Sequence, residues 1–351
     1  MLNSLQPQDS VILGVDTHLE MHVGAIIDRT GKLLGTRTVE TNLAGYQQLL
    51  SWAQTWGTVN QAGIEGTGTY GAGLTRFLIK NGIEVLEITR PDRSMRRQNG
   101  KSDPLDAECA ARTVLSGRTR AIPKQQSGIS EALRITGVAR RSAVKAKTQA
   151  INQIRALLVS APQNIRDALW KSKPHECVNA CLMQTELANS LSSQILLQVL
   201  NELAQRWKIL AAEVAQLDKL QDKLTQQYAK NLRSQYGVGP QTAATLLAVA
   251  GDNPERLKSE AALAALCGVN PLPASSGKTV RHRLNRGGSR EANNALWTIA
   301  LVRMRSDPRT KIYVQRRTKE GLSTKEILRC LKRYIIRELY PLILADLKYI
   351  P

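Results

Sequence analysis

Aromatic residues are scarce in this chain: Phe, Trp and Tyr together make up 4% of 351 residues, with a single Phe. A platform for stacking unpaired bases, as in the common RNA-binding sheet domains, therefore has little material to use. Acidic charge is scarce as well, with 29 Asp plus Glu against 49 Lys plus Arg and a net charge of +20. No apolar run reaches the roughly 18 residues of a membrane span, and no signal peptide precedes the first predicted strand. The five cysteines, Cys109, Cys177, Cys181, Cys267 and Cys330, are odd in number and scattered, which gives no disulfide framework. His175, Cys177 and Cys181 lack a second ligand pair at finger-like spacing, so zinc is not expected. These absences describe a cytoplasmic, nucleoid-associated protein whose excess positive charge calls for a polyanionic partner, most simply nucleic acid. The length suits two or three domains.

Residues 11–16 form an apolar run ending in Asp16, Met21 to Ile27 form a second, and turn chemistry at Asp28 to Gly31 leads to a third strand, Lys32 to Thr41. Asn42 is suited to capping an amphipathic helix, Leu43 to Trp56. A strand at Gln61 to Gly66, a helix at Tyr70 to Asn81 closed by Gly82, and a strand at Ile83 to Thr89 follow. Three antiparallel strands followed by alternating helices and strands predict an α/β RNase H-like domain, in which short central strands carry catalytic acids at their ends.

Asp16 then ends the first strand and Glu65 the fourth. Asp103 and Asp106 lie three residues apart where another helix begins, so they share a face. Capping explains that pair by itself, with Asp103 as N-cap, Pro104 at N1 and Asp106 at N3. The other reading brings four carboxylates from three segments to one sheet edge. There they would repel without cations, and their hard oxygens suit Mg²⁺ or Mn²⁺. Two such ions about 4 Å apart would clamp the attacking and leaving oxygens of a phosphodiester. The coincidence of all four acids favours this metal reading. His18 and His22 flank Asp16; strand alternation accounts for them, and a metal role is the lesser alternative. Arg93, Arg96, Arg97 and Lys101 lie in a basic, turn-rich stretch that suits either the nucleic-acid backbone or plain solvation.

The middle of the chain reads as helical. Ile129 to Leu158 carries Arg134, Arg140, Arg141, Lys145 and Lys147, and a second long helix runs from about Thr185 to Asn231. In the second helix Leu196, Leu200, Leu203, Trp207, Leu210, Val214, Leu217, Gln221, Leu224 and Tyr228 alternate by four and three. This is a heptad seam that must bury itself against the preceding helix, another subunit, or both, and Gln221 is either a register device or an ordinary polar defect.

Farther on, Gly237 to Pro240 is a glycine-rich turn entering a helix, as in a helix-hairpin-helix element. It fits phosphate binding through free backbone N–H groups or a plain helix start. From Lys278 to Arg337 there are 17 Lys plus Arg against 4 acids, a net +13, so most of the excess charge is here. Ser276 stands in a Ser-Gly loop with Lys278, Arg281, Arg283, Arg286 and Arg290 around it. That setting suits a serine attacking a phosphate whose charge the cations stabilise, although a turn serine has the same neighbours.

Together, Val11 to Thr17, Ile64 to Tyr70, Lys101 to Ala107, Gly237 to Pro240, and Pro273 to Lys278 followed by Asn285 to Gly288 resemble the DEDD-type insertion-sequence transposases. These are the IS-one-ten family, described as bridge-RNA-guided recombinases, with the Piv-type invertases as relatives. The resemblance spans nearly the whole chain in the family's order. It implies a RuvC-like domain over residues 1–125 whose metal quartet is Asp16, Glu65, Asp103 and Asp106. It further implies a helical coiled-coil section over 126–231 and a mainly α-helical transposase domain over 232–351, in which Ser276, directly before Gly277, links covalently to DNA. Mg²⁺ or Mn²⁺, donor and target DNA, a structured guide RNA and a dimer or tetramer with active sites shared between subunits follow from the same resemblance. Glu108 departs from it, standing where many relatives have a basic residue. Two other readings compete: a RuvC-like junction nuclease in which metal-activated water cuts, and a non-enzymatic basic nucleic-acid-binding protein.

Overall fold

The computed structural model describes residues 10–88, 102–183, 190–278 and 282–348. The chain divides into two compact units, Met1–Gln126 and Ser127–Pro351. Among the described residues, no helix is long and apolar enough to cross a membrane.

The first unit is built on a five-stranded sheet of β1 (Ser10–Thr17), β2 (Met21–Ile27), β3 (Leu33–Glu40), β4 (Thr58–Glu65) and β5 (Glu84–Ile88), in the order β3-β2-β1-β4-β5. Strands β1, β2 and β3 are antiparallel neighbours, whereas β4 runs parallel to β1 and β5 parallel to β4. Helices α1 (Leu43–Gln54), α2 (Ala72–Lys80) and α3 (Asp103–Leu115) complete it. Asn42 caps α1 as predicted, its side chain accepting from the Gly45 N–H at 2.8 Å. At α3 the cap differs from the prediction. Ser102 takes the cap position in extended conformation, Asp103 is the first helical residue, and the Asp106 N–H closes the first turn on the Ser102 carbonyl at 3.0 Å.

Strand alternation decides what each face does. Val11, Leu13 and Val15 pack with Leu49, Leu74 and Leu78 of α1 and α2, while Ile12 packs with Ala110, Ala111 and Val114 of α3. Gly14 and Asp16 therefore share the α3 face. On β4, Ala62 and Ile64 belong to the first face, so Gly63 and Glu65 belong to the second. The helix lies directly on the two glycines: a Cβ on Gly14 would sit 2.0 Å from the Ala107 carbonyl oxygen, and one on Gly63 2.8 Å from that of Ala110. Small residues on helix and strands thus allow backbone-to-backbone approach, which fixes where the acidic start of α3 falls.

The second unit centres on two long helices, α4 (Ile129–Val159) and α7 (Leu191–Tyr228). All ten seam positions of α7 are buried or half-buried. Gln221 is buried and donates to Thr136 Oγ1 of α4 at 3.3 Å, and Arg140 pairs with Asp218 at 2.5 Å. At one end, α5 (Gln163–Leu169) and α6 (Pro174–Leu182) pack Ile165, Leu169 and Val178 against Ile154, Leu158, Leu197 and Leu200. Cys177 and Cys181 are buried in that cluster as free thiols, while His175 is exposed. The Cys181 side chain hydrogen-bonds Cys177, and this contact is the main cause holding the Cys177 thiol below its ordinary value.

At the other end lie α8 (Lys230–Arg233), α9 (Pro240–Ala250), α10 (Glu260–Leu266), the β6 (Pro271–Pro273) and β7 (His282–Leu284) hairpin, α11 (Arg290–Ser306), α12 (Pro308–Lys319) and α13 (Thr324–Lys348). Their core includes Leu246, Leu247, Leu296, Ile299, Ile336 and Leu339. Within it, the buried Asp346 accepts from the Asn231 N–H at 3.0 Å, the Asn231 side-chain amide at 2.8 Å and the Leu232 N–H at 3.0 Å. Asp346→Ala strips three donors of their partner at once, and charge-assisted bonds are the strong ones. Urea unfolding of that variant is expected to lose about 2–3 kcal/mol relative to wild type. An unchanged midpoint would mean that water replaces the carboxylate without cost.

Candidate active site

The acidic end of the sheet is assembled by register. Val15 pairs with Ile64, so Asp16, one residue before the end of β1, and Glu65, the last of β4, lie at the same end of adjacent parallel strands. The Thr17 hydroxyl donates to the Glu65 carbonyl at 2.8 Å and ties the two ends together, and Gly66, at φ 69°, turns the chain immediately afterwards. A left-handed backbone there favours glycine.

Asp16 and Asp106 are both buried. The His18 Nε2 lies 3.2 Å from an Asp16 oxygen and 3.5 Å from one of Asp103. Donor atoms of Asp16, His18 and Asp103 all fall within 4.8 Å of one another. Of the four predicted acids, Asp16 and Asp103 thus enter one potential ligand set, while among the described residues Glu65 and Asp106 do not join it. Asp106 nevertheless lies close enough for its charge to raise the Asp16 carboxyl.

Burial raises the Asp16 carboxyl above its ordinary value; His18 pulls it down, and the charges of Asp106 and Asp103 push it up again. The site therefore collects negative charge where water solvates it poorly. Glu108 takes no part in that collection, because it reaches along α3 to Arg112 at 2.6 Å.

His18 is the residue that strand alternation had dismissed. β1 ends at Thr17, so His18 opens the turn into β2, and its ring is half exposed beside the acids. The available signal was its position two residues beyond Asp16, at the end of the strand that carries that acid. His22 behaves as alternation requires. It is fully buried in β2, stacked on Tyr46 at 5.7 Å with an interplanar angle of 5°, and burial holds its pKa below the ordinary histidine value.

Ser276 lies in the second unit, in the loop of the β6–β7 hairpin, with its side chain exposed. Gly277 follows at φ 55° and Lys278 is exposed. Arg283, Arg286 and Arg290 are exposed around the base of this hairpin. Arg93, Arg96, Arg97, Lys101 and Arg281 lie outside the described residues. The hairpin base is held by asparagines. Asn285 donates to the Ala265 carbonyl at 3.0 Å and to Asn270 Oδ1 at 2.8 Å, while Asn293 donates to the Gly268 carbonyl at 2.9 Å. Gly288 approaches Gly268 so closely that a Cβ on it would lie 2.2 Å from the Gly268 nitrogen.

At the turn predicted for phosphate contact, Gly237 adopts φ 83° and Pro240 opens α9 after the short α8. The Thr242 hydroxyl accepts from the Gly239 N–H at 3.0 Å, so this donor is already partnered.

Two family models match the chain. One, described as "Transposase" of the DEDD IS110 type, covers residues 13–161, and a second, described as "Transposase IS116/IS110/IS902 family", covers residues 229–315. No curated protein matches it.

Proposed function

Because the chain belongs to the IS110 family of transposases, enzymes that cut and rejoin DNA, we propose that it moves a mobile element through a covalent serine–DNA intermediate assisted by a divalent cation. The observation that carries this reading is the convergence of Asp16, His18 and Asp103, with Asp106 close enough to raise the Asp16 carboxyl, inside the segment matched by the first family model. The mixed sheet order is that of an RNase H-like fold, and its RuvC-like affinity belongs to the same proposal.

Two carboxylates and an imidazole with donors this close fit one cation, and the oxygens suit Mg²⁺ or Mn²⁺. Asp16 and Asp103 would hold it with His18, and Glu65 and Asp106 would complete its surroundings. When bound, such a cation supplies positive charge that orients and neutralises a scissile phosphate. Ser276 Oγ attacks the phosphorus: the O–P bond forms, the P–O bond to one adjoining deoxyribose breaks, and the serine proton ends on the released hydroxyl. Attack by another strand's hydroxyl reverses the step and frees the serine, so no external energy is consumed. Lys278, Arg283, Arg286 and Arg290 stabilise the charge of the attacked phosphate. The cations of Arg93, Arg96, Arg97, Lys101 and Arg281 are assigned to the DNA backbone on sequence alone.

Target choice in this reading belongs to a structured guide RNA that pairs with donor and target DNA, which leaves the protein mainly backbone contacts. Family membership and the +20 charge support it. A homo-oligomer and the three-part division at residues 125 and 231 complete the proposal, with the α4–α7 hairpin as its coiled-coil section.

The test is a denaturing gel of protein incubated with Mg²⁺, the DNA ends of its element and the flanking non-coding RNA. Wild type is expected to give a DNA-linked protein band that both Ser276→Ala and Asp103→Ala lose. Cleavage persisting in Ser276→Ala with no shifted band would assign the cut to the carboxylates alone, as in a junction nuclease.

A further inference from the structure

A concave feature lies within the second unit. Helices α11 and α13 and the β6–β7 hairpin enclose a cavity of about 1020 Å³. Among the described residues, eight Lys and Arg side chains line it and no Asp or Glu does. Helical spacing produces this. On α11 the buried face is Ala292, Ala295, Leu296 and Ile299, which leaves Arg290, Asn293, Asn294 and Trp297 to the cavity. On α13 the core takes Ile327, Leu331 and Ile335, and the cavity receives Arg329, Lys332, Tyr334 and Arg337.

So many like charges around one hollow are costly unless a polyanion enters, and a concave wall focuses their field. Arg333 is paired with Glu260 at 2.8 Å, whereas Lys332 has a neutral partner, the Asn293 side-chain oxygen at 2.7 Å. Burial lowers the pKa of that lysine, as expected of an ammonium held in a poorly solvated place without a counter-charge.

The rings are the second, independent observation. In a chain with 4% aromatic residues, Trp297 and Tyr334 are 42% and 52% exposed on the wall of this one cavity. Tyr334 is braced by the edge of Tyr313, with centroids 5.7 Å apart at 82°, and the Arg337 guanidinium lies 6.0 Å from its centroid. A duplex presents phosphates outward and keeps its bases stacked, so it needs the cations but not the rings. An unpaired nucleotide needs both, because its free base face stacks on an aromatic ring while its phosphates meet the cations.

We propose that this cavity binds an unpaired nucleotide of a single strand, with its base against Trp297 or Tyr334 and its phosphates on Arg290, Arg329, Lys332 and Arg337. The proposal rests on the nucleic-acid reading of the protein and adds a site for a base unstacked from its helix. The hairpin that bears Ser276 forms one wall of the cavity through Pro271, Arg283 and Leu284.

The experiment is fluorescence anisotropy on the full chain with three probes of one sequence: short single-stranded DNA, short single-stranded RNA and blunt duplex DNA. Trp297→Ala with Tyr334→Ala is expected to weaken binding of a single strand by about 5- to 150-fold per ring lost, while duplex binding stays within about twofold. Trp297→Phe, which keeps a ring, is expected to retain most of the single-strand affinity, a rescue that general misfolding would not give. Whichever of the two single strands suffers the larger loss identifies the source of the nucleotide. Equal loss for single strand and duplex, or no loss at all, would overturn the stacking site while leaving the proposed recombinase reading intact. Failure of wild type to bind any of the three probes would overturn both.

Discussion

Gly14→Val is expected to abolish strand cleavage and to lower the melting temperature by more than about 10 °C. A Cβ at this position would stand 2.0 Å from the Ala107 carbonyl oxygen and 2.4 Å from the Ala111 nitrogen, both backbone atoms of α3. No side-chain rotation relieves a clash with helix backbone, so α3 must move as a body or the sheet must bend. Either response separates Asp103 and Asp106 from Asp16, since the helix start carries the first two and the strand end carries the third. Overpacking against flexible side chains typically costs about 1–3 kcal/mol, and backbone against backbone should reach or exceed the top of that range. Thermal melting followed by circular dichroism, together with the adduct assay, reads both effects. Wild-type stability with cleavage intact would show that the contact between α3 and the sheet does not govern the site.

Asp16→Asn separates the stability of the site from its chemistry. Cleavage is expected to fall by about a thousandfold or more, the scale of several kcal/mol of charge stabilisation lost at the phosphate. Stability without divalent cations should move the other way. Asp16 has a folded-state pKa above its ordinary value of 3.8, raised chiefly by burial. Its contribution therefore favours folding at pH values where the carboxyl is protonated, and declines as pH rises from the unfolded value through the folded one. At neutral pH the variant, which cannot ionise, is expected to melt above metal-free wild type, and this advantage should vanish once the pH drops below the carboxylate range. Adding Mn²⁺ or Mg²⁺ should raise the wild-type melting temperature and leave Asp16→Asn unmoved, because ligand binding stabilises only the state that binds. A variant that melts below wild type at neutral pH without metal, or that gains equally from the cation, would argue that Asp16 is a structural acid.

Several parts of the molecule were legible from residue order alone. The strand runs ending in Asp16 and Glu65, the cap at Asn42 and the heptad spacing from Leu196 to Tyr228 each depend on neighbours within a few positions, and local rules describe them well. The same rules missed the cap of α3, where Ser102 holds the extended cap conformation and Asp103 begins the helix. Both residues are good caps, so local chemistry did not discriminate between them. His18 was misjudged for a related reason: alternation was carried one residue beyond the strand's end, which the pairing with β2 sets at Thr17.

The sequence by itself determined the alternation that sends Asp16 and Glu65 to one face, the small residues that let a helix lie on that face, and the charge that demands a polyanionic partner. Period-two and period-3.6 patterns are properties of the chain's own geometry and need no partner element to be read. Tertiary structure alone decided that His18 meets Asp16 and Asp103, and that Trp297 and Tyr334 share one basic cavity although 37 positions separate them. Those outcomes depend on how closely helices pack against their neighbours. That distance is set by glycine and alanine contacts between segments far apart in the chain, which no local pattern contains.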